Sequence, residues 1–165
     1  MAEMYFIRHG IAADPASYAT DEERPLTDDG RRKTAKVAKR LYQQGLRFDL
    51  ILTSPLLRAR QTADILQSGG LSPKIEESPY LAPEGNIHTW LPWLEKWRQS
   101  RLPRLALVGH QPNLGHWAEI LIWGKAGDGL VLKKAGVIGL TVPAGGAPVG
   151  NSQMFWLTSP KWLLL

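Results

Sequence analysis

Tyr5-Phe6-Ile7-Arg8-His9-Gly10 reads as a short apolar run closed by a cation, an imidazole and a glycine. Three consecutive bulky apolar residues suit a buried strand, and glycine lets the backbone turn sharply behind it. The run therefore carries Arg8 and His9 to a strand end. In an open α/β sheet, ligands bind at the carboxyl ends of the strands. A guanidinium beside an imidazole suits chemistry on a phosphoryl group. The cation offsets oxygen charge and the ring supplies a nitrogen nucleophile. The tripeptide alone reads first as a strand-end histidine held by a backbone hydrogen bond, so later segments must decide.

Two further segments repeat the pattern. Phe48 to Thr53 is a second apolar run, followed by Ser54-Pro55, which predicts a helix capped by Ser54 with Pro55 at its first position. That helix carries Leu57, Ala59, Ala63 and Leu66, stops at Gly69-Gly70, and places Arg58 in its first turn. Leu105-Ala106-Leu107-Val108 is the clearest buried strand, followed by Gly109-His110 and a helix from about Asn113 to Gly124.

The intervening chain fits an alternation of strands and helices. Ile11 to Thr27 is polar, with Asp14-Pro15 and Arg24-Pro25, and predicts a loop over the sheet edge. Thr27 is an N-cap for a helix that shows Val37, Ala38, Leu41 and Tyr42 on one side and stops at Gly45. Lys74 to Glu76 is a short third strand, and Leu81 to Asn86 a loop. Trp90, Trp93, Leu94 and Trp97 form a helical stripe that packs into a core, and Pro92 requires that helix to start near Thr89 or to kink. Gly136 to Val142 and Gln153 to Leu157 are final strands, joined through Ala144 to Pro148. The expected fold is α/β, a three-layer αβα sandwich with a mostly parallel central sheet and an antiparallel edge from the last pair. Residues 1–165 are expected to form one domain.

Composition narrows the function. The 165 residues are 44% hydrophobic and 21% charged, as in ordinary globular proteins, and no apolar run approaches a membrane span. The first residues lack the basic and apolar regions of a signal peptide, so a cytoplasmic location is expected. Without cysteine, disulfides, thiolate metal sites and cysteine nucleophiles are excluded. The net charge of +5 favours anionic partners, although Arg31, Arg32, Lys33, Lys36, Lys39 and Arg40 also fit a solvated helix face. His88 and His116 show no metal-ligand spacing and are read as structural or surface residues.

His9, Arg58 and His110 each follow a strand by a few residues, and parallel strands end on one edge, so these three and Arg8 can meet. Two arginines and a histidine can hold the oxygens of a transferring phosphoryl group while the other histidine attacks. Neighbouring cations keep the attacking ring neutral.

These segments, Phe6-Ile7-Arg8-His9-Gly10, Arg24-Pro25-Leu26-Thr27, Ser54 to Ala63 and Val108-Gly109-His110, resemble the histidine phosphatase (Arg-His-Gly) superfamily. Chain length and segment order are most similar to its SixA-type phosphohistidine phosphatase branch. The resemblance implies a phosphoglycerate-mutase-like fold, with His9 as the nucleophile and Arg8, Arg58 and His110 as phosphate ligands. It implies no metal or organic cofactor. Arg24 lines the mouth of the site or pairs with Asp21 or Glu22. Glu84 is the one candidate proton donor in the Leu81 to Asn86 loop, an exposed loop carboxylate being the alternative. The implied substrate is a phosphorylated protein, such as a phosphotransfer component in signal transduction, met by a monomer with no nucleic-acid or membrane partner. Two readings compete: a small-molecule phosphomonoesterase of the same superfamily, and a non-catalytic phosphate- or nucleic-acid-binding module.

Overall fold

The computed structural model describes residues 1–165. Six strands form one sheet: β1 (Ala2–Arg8), β2 (Leu50–Thr53), β3 (Ile75–Glu77), β4 (Arg104–Gly109), β5 (Val137–Val142) and β6 (Gln153–Thr158). Their order across the sheet is β3-β2-β4-β1-β5-β6. β3, β2, β4 and β1 pair in parallel, and β5 runs antiparallel to both β1 and β6. β5 alone therefore opposes the other strands, which refines the expected antiparallel edge.

Helices cover both faces because the strands alternate between two cores. Met4, Phe6, Leu105, Leu107, Leu50 and Leu52 point to one side. There they meet α3 (Ile87–Gln99) and α4 (Asn113–Trp123) through Trp90, Leu94, Trp97, Leu114, Trp117 and Leu121. Tyr5, Ile7, Ala106, Val108 and Ile51 point to the other. They meet α1 (Asp28–Gln43) and α2 (Leu57–Ser68) through Val37, Leu41, Ala59, Ala63 and Leu66, with Leu163 of the short α5 (Pro160–Leu163). This two-residue alternation makes three layers. The tryptophan stripe is core, with Trp90 against Trp117 at 5.1 Å between ring centroids. No helix is long and apolar enough to cross a membrane.

Several expected boundaries hold. Thr27 caps α1, its hydroxyl accepting from Gly30 N at 2.9 Å. Gly45 and Gly124 follow α1 and α4 with φ of 86° and 87°, the left-handed conformation glycine adopts at no steric cost.

Two helix starts differ from expectation. α2 begins at Leu57, with Leu56 in the capping position and no side-chain cap, rather than at Ser54-Pro55. The Ser54 hydroxyl accepts from Leu56 N at 3.2 Å but also meets a histidine of the site, so Ser54-Pro55 forms a tight turn before the helix. α3 begins at Ile87, capped by Asn86, whose side chain accepts from His88 N at 2.9 Å. Pro92 thus lies inside α3. It faces solvent, where the carbonyl it cannot satisfy has access to water.

Candidate active site

The sheet order brings the sequence-distant residues together. β4 lies between β2 and β1, and their carboxyl ends are level: Arg8 pairs with Gly109, and Thr53 with Val108. His9 N donates to Gly109 O at 3.0 Å and Ser54 N to Val108 O at 2.9 Å, so the three turns leave the sheet side by side. His9, His110 and Ser54 consequently share one edge. Arg58 reaches it from the second residue of α2.

The turn behind His9 has no room for a side chain. A Cβ on Gly10 would lie 2.4 Å from Thr34 Oγ1. Gly10 N donates to Thr62 Oγ1 at 3.1 Å, and that hydroxyl donates to Arg58 O at 2.8 Å. One buried threonine therefore ties the turn after β1 to the helix that carries Arg58.

His9 is 6% exposed and His110 is 3% exposed, their ring centroids 5.2 Å apart. His9 Nδ1 lies 2.7 Å from Gly10 O. A carbonyl only accepts, so Nδ1 carries the proton and Nε2 keeps the lone pair. Arg58 Nε donates to that Nε2 at 3.3 Å. Burial pushes the His9 pKa down to about 3. The hydrogen bond to Gly10 opposes the shift, while His110, Arg58 and Arg8 add to it. The His110 pKa falls to about 4, through burial first and Arg58 next, with Asp21 opposing. Both rings are thus neutral near neutral pH. His110 Nε2 lies 2.8 Å from Ser54 Oγ, and its Nδ1 is buried with no partner.

The cations are held at fixed points. Arg8 donates from Nη1 to Leu132 O at 3.1 Å, and its buried Nε has no partner. Burial, then the Arg58 guanidinium, lowers the Arg8 pKa. Arg58 donates from Nη1 to Asp21 O at 2.8 Å and from Nη2 to Asp21 Oδ2 at 2.9 Å. Arg24 donates to Asp21 Oδ1 at 2.9 Å and to Ala13 O at 3.0 Å. Asp21 therefore bridges Arg58 and Arg24. Its own pKa is lowered because these two cations outweigh the largest single effect, the burial that raises it.

Arg8, His9, Arg58 and His110 are brought together. Arg24 joins them only through Asp21, and it takes the ion pair with Asp21 that the sequence offered as the alternative. Glu84 is exposed on its loop. That loop is fastened beside the start of α4 by Asn113 Nδ2, which donates to Ala82 O at 2.8 Å. His88 is exposed, and His116 pairs with Asp128, so neither reaches the site. Sequence reasoning missed three contributors: Ser54, read only as a helix cap, Asp21, read only as a partner for Arg24, and Thr62. Helical spacing carried one usable signal, since Thr62 stands four residues after Arg58 and shares its face.

The arrangement provides a buried, neutral ring nitrogen with a free lone pair, flanked by two guanidinium groups and a second neutral ring. That set can attack an electrophilic phosphorus while cancelling the charge on its oxygens.

The chain belongs to the histidine phosphatase superfamily (branch 1), whose model matches residues 4–82. A protein of Picosynechococcus sp. whose function is not characterised is 53% identical over 165 residues, covering 98% of this chain and 99% of its own length. The phosphohistidine phosphatase SixA of Escherichia coli K12 is 27% identical over 159 residues, covering 96% of this chain and 94% of its own. The solved structure of the protein histidine phosphatase SixA complexed with tungstate superposes with a TM-score of 0.86 at 26% identity, covering 98% of this chain and 99% of that one. The sandwich described above is accordingly the phosphoglycerate-mutase-like fold.

Proposed function

We propose that the chain is a phosphohistidine phosphatase that works through a phosphoryl group carried on His9. The observation behind this reading is the His9 tautomer. Its Nδ1 proton is committed to Gly10 O, so the lone pair on Nε2 faces Arg58. In the first step a bond forms between His9 Nε2 and phosphorus, and the bond from phosphorus to the substrate nitrogen breaks. The substrate imidazole, protonated on its far nitrogen, leaves as a neutral ring. In the second step water attacks the phosphorus, releases phosphate and restores His9. Arg8, Arg58 and His110 hold the phosphoryl oxygens throughout.

The leaving group supports phosphohistidine over a phosphate ester. An imidazolium has a pKa of ~6.5, so the ring leaves without the strong acid that an alkoxide requires. Glu84, the one carboxylate of its loop, is exposed and makes no hydrogen bond or ion pair with the cluster. The similarity to SixA, described as a protein histidine phosphatase, supports a protein-borne substrate.

The test is a trapping experiment. Brief reaction with a radiolabelled phosphohistidine protein and rapid quenching should leave acid-labile, base-stable label on His9. Label on any other residue defeats the mechanism. If Glu84→Gln instead abolishes hydrolysis of a sugar phosphate while phosphohistidine is scarcely used, the chain is a small-molecule phosphomonoesterase.

A further inference from the structure

Beside the cluster lies a cavity of about 430 Å³ lined by Arg8, Lys33, Lys133, Lys134 and Lys161, with Ile11, Ser159 and Pro160. Its five cations come from four places: the end of β1, α1, the connection from α4 to β5, and α5. None of the four lysines pairs with a carboxylate. Some exposed cations elsewhere do, as in Arg32 with Asp29, Arg60 with Glu77, Lys74 with Glu76 and Arg104 with Glu3, while others such as Lys36, Lys39 and Lys96 do not; what sets this group apart is that its cations converge on one cavity. A set of like charges without counter-charges repels itself and weakens the fold.

The backbone nevertheless holds the lysines close to Arg8. Ala135, next to Lys134, adopts a φ of 59°, the left-handed region that non-glycine residues rarely occupy. Its N–H lies 3.0 Å from Arg8 O and 3.2 Å from His9 O. Arg8 N donates to Gly136 O at 3.3 Å, and Gly136 N closes the turn on Lys133 O at 2.7 Å. The strained turn that presents Lys133 and Lys134 is thus bonded to the same two residues that carry the proposed chemistry. Strain of this kind persists where the surroundings over-determine it, and it clusters at functional sites.

We propose that this cavity receives acidic side chains adjoining the phosphohistidine of a protein substrate. The inference rests on the phosphatase reading and narrows its substrate class. Arg8 belongs to both sites, so a substrate with its phosphoryl group on His9 has its neighbouring residues over the lysines. Lysines suit this role. Each is a compact, mobile point charge on a flexible stem, able to meet carboxylates at varied positions.

The test uses two phosphohistidine peptides, alike except that Asp and Glu flank the phosphohistidine in one and Ser and Gln in the other. A sugar bisphosphate and its monophosphate serve as small-molecule controls. The wild-type chain should prefer the acidic peptide by about tenfold in kcat/KM, mostly through KM, and the preference should shrink as salt is added. It should collapse in Lys133→Glu with Lys134→Glu, and separately in Lys161→Glu. Equal hydrolysis of the two peptides by the wild-type chain overturns the proposal and leaves the phosphatase reading standing. A lysine-dependent preference for the bisphosphate, with none between peptides, overturns it in favour of a small molecule. Hydrolysis of neither peptide removes the phosphatase reading and this proposal with it.

Discussion

Ser54 Oγ lies 2.8 Å from His110 Nε2, so a single hydroxyl orients the ring that faces His9. A hydrogen bond of this kind contributes about 1 kcal/mol, so Ser54→Ala should lower kcat/KM about fivefold with the circular dichroism unchanged. Unaltered kinetics would show that His110 is positioned by packing alone. Asp21 acts in the opposite sense. Its half-exposed carboxylate occupies the Nη2 of Arg58, which a phosphate oxygen would otherwise bind. Asp21→Asn should therefore make inorganic phosphate inhibit at about two- to fivefold lower concentration, the range expected for a partly exposed ion pair. A weaker inhibitor constant would mean that Asp21 chiefly orients Arg58. At this scale the sequence marked the four residues that meet and not their supports. Arg8, His9, Arg58 and His110 are marked by chemistry and by a recurrent pattern after strands. Ser54 lies in a turn and Asp21 opens a single 3-10 turn, and the significance of each comes from neighbours 56 and 37 positions away.

The element that aims His9 is the packing of the turn after β1 against the start of α1. A Cβ on Gly30 would stand 2.1 Å from Ile11 O, a backbone atom that cannot rotate aside. Gly30→Ala should cost about 1–3 kcal/mol in urea denaturation, because one element must shift. Gly145 offers the comparison, since a Cβ there meets nothing within 4 Å. Gly145→Ala should stay within about 0.5 kcal/mol of the parent. Equal effects at the two sites would remove the close approach as the reason for Gly30. Existence and type of the long elements were legible from apolar periodicity, since each face must be buried. The starts of α2 and α3 were not. Serine followed by proline serves a capped helix and a tight turn equally well, and the His110 ring across the sheet edge decides between them.

Across the molecule, the two site histidines couple the site to stability. Both are neutral in the folded chain, with pKa values lowered to about 3 and about 4, and both titrate near 6.5 when unfolded. Below that value the unfolded chain takes up protons that the folded chain refuses, so stability falls as pH falls, until it levels near the folded values. Urea denaturation at about pH 7 and pH 5 should differ by on the order of 1–2 kcal/mol per histidine. The loss should be nearly absent in a His9→Gln, His110→Gln variant. A slope that survives in that variant would place the titrating groups elsewhere. The window lies above the range where Asp21, held low by Arg58 and Arg24, begins to take up protons.

The amino-acid order alone determined that strands and helices alternate, that one face of each helix is apolar, and that three reactive residues stand just beyond strands. Local periodicity and residue chemistry act over a few positions, so a linear reading reaches them. Which strands are neighbours was decided only in three dimensions. Placing β4 between β2 and β1 is a matter of long-range packing between two cores, and that choice set His110 and Ser54 beside His9, while the placing of β5 against β1 set Lys133 and Lys134 beside Arg8.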